Sequence, residues 1–222
     1  MKKLLLPLLA VVCALAIAAC SEQKDKLSAT PEVTSAEAVA SNTDWKTAYK
    51  TFLTEKTDDI NESDISFDLG FVDSDDIPEL FVSYGSYHAA KVDVYSFING
   101  EVTLLCNGGE FGNIRYVEKS GYITSYYCGQ GAWTYDIYEF KNGDCTKIHT
   151  AYDTTNATPD PELQELKIDG KDVSAEEMEN LKEKYYSSSN EKVKAIHGPD
   201  GNERRIFINT ENIEKYITEF GK

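Results

Sequence analysis

The sequence predicts an α+β protein, mainly β: an antiparallel meander of about eight strands built from two four-stranded repeats, flanked by an N-terminal helix and C-terminal helices. Three observations carry this. An eleven-residue pattern occurs twice, an Asn-Gly pair sits in each copy, and helical apolar spacing appears only before and after the repeated stretch.

The pattern Asp93-Val94-Tyr95-Ser96-Phe97-Ile98-Asn99-Gly100-Glu101-Val102-Thr103 aligns without a gap on Asp136-Ile137-Tyr138-Glu139-Phe140-Lys141-Asn142-Gly143-Asp144-Cys145-Thr146, 43 residues later. Asn-Gly between alternating apolar runs favours a type I′ hairpin, whose two central residues both need positive φ. Carried backward at the same offset, Phe71-Val72 and 79–84 fall opposite Ile114-Arg115 and 122–127. Each unit then reads as four strands, near 67–72, 79–84, 91–97 and 101–106, and near 113–118, 121–128, 132–140 and 144–150. Asn107-Gly108-Gly109 and Gly129-Gln130-Gly131 serve as links. Four antiparallel strands per unit is the build of a propeller blade, but propellers use about four or more blades, so one continuous curved meander is expected. Trp45, Ala48, Tyr49, Phe52 and Leu53 share a helical face, with Asn42 or Thr43 as cap. Ser174-Ala175-Glu176-Glu177 is a capping box opening a helix with Met178, Leu181 and Tyr185 on one side. Ile213, Tyr216, Ile217 and Phe220 mark a last helix after Thr210. Two short strands are expected within 192–209, around Gly198-Pro199-Asp200-Gly201.

Ahead of the domain, Lys2 and Lys3 precede an apolar run, Leu4–Ala16, broken only by Pro7, in a signal-peptide layout. The run is shorter than the roughly 20 residues that span a bilayer. Its end, Ile17-Ala18-Ala19-Cys20, resembles a bacterial lipobox, which implies cleavage before Cys20 and a lipid anchor on that residue. The expected organisation is a signal peptide over 1–19, a lipid-anchored flexible stalk over 20–42 and one globular domain over 43–222, with repeat units near 67–106 and 113–150. The stalk has no aromatic residue and too little apolar surface to offset the entropy of ordering. The expected location is the extracytoplasmic face of a bacterial cell membrane.

With 22 basic against 38 acidic residues the net charge is −16, and loss of Lys2 and Lys3 makes the mature chain two charges more negative. Such a charge repels polyanions, so nucleic acid is not expected as a partner; cations such as Ca²⁺ are. Cys106, Cys128 and Cys145 show no C-x-x-C spacing. They indicate neither a zinc site nor a disulfide framework, and three buried or half-buried thiols are expected.

Between the first two strands lies Asp73-Ser74-Asp75-Asp76-Ile77-Pro78-Glu79-Leu80, whose alternating carboxylates suit a hard cation that takes six to eight oxygens. This segment resembles the Asp-rich loops ending in Ile-Pro-Glu-Leu of calcium-binding repeats of the FG-GAP and VCBS type. The stretch 45–185 is similar to secreted lipoproteins of Firmicutes, Clostridia-like in type, which share the aromatic helix, the acidic loop, the Asn-Gly hairpins and an element here read as Asp169-Gly170-Lys171-Asp172-Val173-Ser174. The resemblance implies Ca²⁺ on Asp73, Asp75 and Glu79. Phe71 stands where the loop pattern has its first carboxylate and Asp76 where it has Gly; the bland alternative is an acidic turn closed by Pro78.

His88, His149 and His197 fit no metal or nucleophile motif, and Cys128 would act with a histidine only if the fold joined them. Along 132–140, Trp133, Tyr135 and Ile137 share one face, expected as core. Tyr84, Tyr87 and Tyr127 are the surface candidates for stacking against a ligand. The expectation for function is a non-catalytic binding module for a cell-envelope or host-derived ligand. The alternatives are a hydrolase of an envelope polymer, with its carboxylates scattered through the sheet, and a structural or inhibitor-type envelope lipoprotein.

Overall fold

Alternating apolar residues on both sides of a strand require cover on both sides of the sheet, and the two repeats meet that need by stacking. The computed structural model describes residues 44–59, 65–85, 91–109, 113–141, 143–196 and 205–222. The leader, Cys20, the stalk, the Asn42 and Thr43 caps, Tyr87, His88, His197 and the Gly198–Gly201 turn lie outside the described residues. The first unit supplies β1 (Ser66–Gly70), β2 (Glu79–Ser83), β3 (Val92–Ile98) and β4 (Glu101–Gly108). The second supplies β5 (Ile114–Val117), β6 (Tyr122–Gly129), β7 (Ala132–Lys141) and β8 (Asp144–Asp153). Each unit is an antiparallel meander as expected, but they are two sheets rather than one continuous one, because the ladder stops at β4 and Gly109 takes a φ of +74°.

The repeat is reproduced in three dimensions. In both units the last hairpin shifts register at the same repeat position, between Val94 and Tyr95 and between Ile137 and Tyr138, with Leu105 and Ile148 as the extra residues of two β-bulges. Asn99 and Gly100 turn the first hairpin with φ of 53° and 87°, as a type I′ turn requires.

Stacking is head to tail. Tyr95 and Phe97 face a core shared with the helices, whereas their repeat equivalents Tyr138 and Phe140 face the first sheet, packing with Phe81, Val92, Val94 and Ile123. Ile137, the equivalent of Val94, points away from that layer toward Tyr185 and Tyr186. Gly70 permits the close approach of the sheets, since a Cβ there would lie 2.5 Å from the Tyr116 ring, which stacks on Phe81 at 5.5 Å.

Three helices cover the two outer faces. α1 (Trp45–Asp59) and α3 (Thr210–Glu219) lie on the first sheet, burying Tyr49, Leu53, Ile213 and Ile217 against Phe67, Leu69, Leu80 and Val82. Asp44, not Asn42 or Thr43, caps α1: its Oδ1 accepts from the Thr47 N–H at 2.9 Å and its carbonyl from the Ala48 N–H. α2 (Ala175–Tyr185) opens on the expected Ser174–Glu177 capping box and packs on the second sheet through Leu181 and Tyr185.

Four short strands complete the sheets: β9 (Leu166–Ile168) and β10 (Lys171–Asp172), a hairpin on Asp169-Gly170 beside β8, then β11 (Val193–Ala195) on β5 and β12 (Ile206–Phe207) on β1. The two late strands match expectation, and they join different sheets.

All three described cysteines are free and half-buried. The Cys106 thiol of β4 donates to the Cys145 sulfur of β8, which with burial raises it well above the usual thiol range. Diamide, which takes up the two hydrogens released as two thiols join, is expected to link Cys106 to Cys145 across the sheets and leave Cys128 free, as read by peptide mapping. A bridge through Cys128 instead would contradict this packing.

Candidate functional site: an aromatic groove on the second sheet

On β6 and β7 the residues facing away from the first sheet include Tyr122, Thr124, Tyr126, Trp133, Tyr135 and Ile137, by register and by the packing of Ile137. α2 covers one end of this face. Tyr185 sets its ring edge-on to Tyr122 at 4.9 Å, the Thr124 hydroxyl donates to the Tyr185 carbonyl, and Ile137 is fully buried there. Lys182 and the 2 % exposed Asp153 pair at 2.7 Å and pin the helix to β8. Burial works against the Asp153 carboxylate, yet Lys182 and Thr155 hold it below the usual range.

Where α2 ends the cover ends, and the other half of the face is a groove of about 110 Å³ lined by Arg115, Tyr126, Trp133, Tyr135 and Tyr186. Tyr186, the residue that stops the helix, lays its ring on Tyr135 at 4.1 Å and 16°. Trp133 lies 6.0 Å from Tyr135 and 6.2 Å from Tyr126, the rings within 15° and 35° of parallel. Strand alternation and cross-strand pairing force this spacing, since Trp133 and Tyr135 are two apart on β7 and Tyr126 is directly opposite Tyr135. Burial, joined for Tyr135 by Asp153 and for Tyr186 by Tyr135, raises both phenols; the Tyr186 hydroxyl donates inward to the Met178 sulfur.

Arg115 closes the groove from β5. Its guanidinium stands 5.3 Å over the Tyr126 ring, and Nη1 donates to the Tyr186 carbonyl at 2.5 Å, a cation at a helix C-terminus. Its Nε is buried without a hydrogen-bond partner, and among the described residues no carboxylate pairs with it.

The surface expected to be core is therefore core only at its Ile137 end; Trp133 and Tyr135 are half-buried and line an opening. The tyrosines favoured as surface candidates do not gather. Tyr84 is half-buried in the helix-side core and donates to Tyr95, which donates to Asp93 at 3.2 Å. Tyr127 is half-buried on the opposite face of β6 from Tyr126, and Tyr87 lies outside the described residues.

The acidic loop is placed differently from the resemblance. Glu79 is fully buried, its Oε2 accepting from the Val72 N–H at 2.9 Å and its Oε1 from the Ser96 hydroxyl at 3.2 Å. Asp73 accepts from the Asp75 N–H and Asp75 from the Ile77 N–H. As they stand, Asp73, Asp75 and Glu79 do not form one ligand set. Among the described residues no group of three His, Cys, Asp or Glu is placed to hold a metal ion. The loop instead joins the layers. The Ser120 and Gly121 N–H groups donate to the Val72 carbonyl, and the Tyr49 hydroxyl to that of Pro78. Leu69 pairs with Leu80 as Tyr116 pairs with Ile123, so residues 71–78 form a longer link than 118–121 in the second unit, and the constant 43-residue offset fails there.

A second, polar cleft of about 520 Å³ lies beside this loop, with Asp73, Glu139, Lys119 and Lys141 in its lining. His149 pairs with Asp169 at 2.9 Å. Cys128 stands level with Trp133 and His149 with Ile137, so the register keeps thiol and imidazole apart. Comparison with family models, with curated proteins and with solved structures finds no match.

Burial raises the Glu79 carboxyl; the Val72 N–H opposes this, Asp73 and Asp75 add to it, and the balance pushes it from 4.5 up to about 8. The folded chain thus holds a proton that the unfolded chain loses near pH 4.5, and stability falls as pH rises from about 4.5 to 8. Glu79→Gln, which keeps an acceptor for Val72, is expected to remove most of that fall. In melts at pH 9 the variant should be more stable than the wild type by a few kcal/mol, since each tenfold change in proton affinity between the folded and unfolded chain is worth about 1.4 kcal/mol. A difference between wild type and variant that does not change between pH 5 and 9 would contradict a neutral Glu79.

Proposed function

We propose that the chain is a lipid-anchored, extracytoplasmic, non-catalytic module that binds a cell-envelope or host-derived ligand in the groove of Arg115, Tyr126, Trp133, Tyr135 and Tyr186. The observation that carries this reading is the half-covered aromatic face. Large rings on a sheet are ordinarily sealed by the next layer, and here α2 ends at Tyr185 and leaves the Trp133 end of the face lining a groove. Aromatic rings presented with hydroxyl and indole N–H edges offer both apolar area and hydrogen-bond donors to a ligand that is itself amphipathic. The lipobox-like end of the leader and the polar stretch 21–42 support placing the groove outside the cell, on a tether at the membrane. The net acidic charge disfavours adsorption to anionic lipid.

Full-length protein in detergent, mixed with insoluble cell-wall polysaccharide and sedimented, tests the reading. The wild type is expected in the pellet. A Tyr126→Ala, Trp133→Ala double variant with unchanged circular dichroism should lose most of that binding, since stacking on an aromatic ring contributes on the order of 1 kcal/mol or more beyond simple burial. Equal sedimentation of both proteins would remove the groove as the binding surface.

A further inference from the structure

The position of Arg115 says what the groove is built to hold. The chain has three arginines, Arg115, Arg204 and Arg205, in a sequence with 38 acidic residues. A half-buried guanidinium in so acidic a protein ordinarily has a carboxylate beside it. Arg115 has none among the described residues; only one of its five N–H donors reaches a protein acceptor, and its Nε is buried and unsatisfied. An orphaned donor of this kind is costly, and a ligand acceptor relieves the cost. Lys182 is already engaged by Asp153, and Lys184 lies over the Tyr122 and Tyr185 rings at the covered end of the face.

We propose that the ligand is a sugar acid: a pyranose unit whose carboxylate meets Arg115 while its apolar face lies on Trp133 and Tyr126. This rests on the groove being the binding surface. The guanidinium carbon stands 5.3 Å from the Tyr126 ring centroid and Nη1 is tied to the Tyr186 carbonyl, which leaves the remaining Nη donors to meet a carboxylate at the groove. The rings beside it supply what the rest of a pyranose needs, an apolar surface and a hydroxyl donor from Tyr135, the Tyr186 hydroxyl being turned inward onto the Met178 sulfur. The groove, of about 110 Å³, is too small to enclose a whole sugar ring, so a pyranose lies with one face on the aromatic rings and its remainder at the open side. The strongly negative charge of the protein makes a lone unpaired cation selective for a single acidic unit over a dense polyanion.

The test is calorimetric titration of the full-length protein in detergent with a glucuronate-containing disaccharide and with its neutral methyl ester. The acid is expected to bind about tenfold or more tighter than the ester, the contribution of a hydrogen bond to a charged group. Arg115→Gln should abolish that preference, so that acid and ester bind alike. Arg115→Lys, which keeps the charge and guards against a folding defect at the Tyr186 carbonyl, should retain part of it. Trp133→Ala should weaken both ligands. Equal binding of acid and ester by the wild type would overturn the sugar acid and leave the groove reading standing. An acid preference that survives Arg115→Gln would overturn the role of Arg115. No binding of either probe by a protein that still sediments with polysaccharide would overturn the sugar acid alone.

Discussion

The constraint on which the structure depends is that each four-stranded unit is apolar on both faces, and two such units stacked head to tail cover only one face of each. The Phe81, Val94, Ile123 and Phe140 layer uses the inner pair. The two faces left over are unlike, because the units point the same way. In a propeller the ring closes and no face is left, and in longer stacks terminal units cap the ends. Here helices do the capping. α1 and α3 seal the Tyr95 face with eleven buried residues, while at the other end the buried cluster holds three, Ile137, Tyr185 and Tyr186. The weaker cap is where the groove opens, so the candidate site follows from how the stack ends.

A buried junction joins the two layers of the stack. Glu79 accepts from the Val72 N–H and fixes the loop whose carbonyl then receives Ser120 and Gly121 of the other sheet. β11 and β12 themselves lie at the edges of different sheets. A buried neutral carboxyl is a costly joint, tolerated because each of its oxygens has a partner. The acidic residues around it serve the geometry of the junction, with Asp73 and Asp75 closing the turn through their own backbone.

Much of this was legible in the sequence. Asn99-Gly100 and the alternation on either side are local signals, and all eight expected strands are found within a few residues of their places. The capping box at Ser174 is local too. What was not legible is tertiary. The break between sheets at Gly108-Gly109 uses the same residue types as a hairpin turn. β9 and β10 are three and two residues long and carry no periodicity. Alternation says that Trp133, Tyr135 and Ile137 share a face, but not how far α2 reaches along it. Glu79 looks like Asp73 in a string of acids, and strand parity alone, placing 79 with Phe81, turns it inward. Arg115 left a faint signal as a rare arginine between apolar strand residues, near Tyr126 in the next strand.

The central claim is that the outer face of the second sheet is open at Trp133. The chain has two tryptophans, so Trp45→Phe leaves Trp133 as the sole indole. Its fluorescence, quenched by acrylamide in the folded full-length protein, is the direct measurement. Ready quenching is expected in the native state, diminished when a sugar acid is bound. A blue-shifted emission that acrylamide reaches only after unfolding would mean that the face is sealed, and the groove would be lost with it.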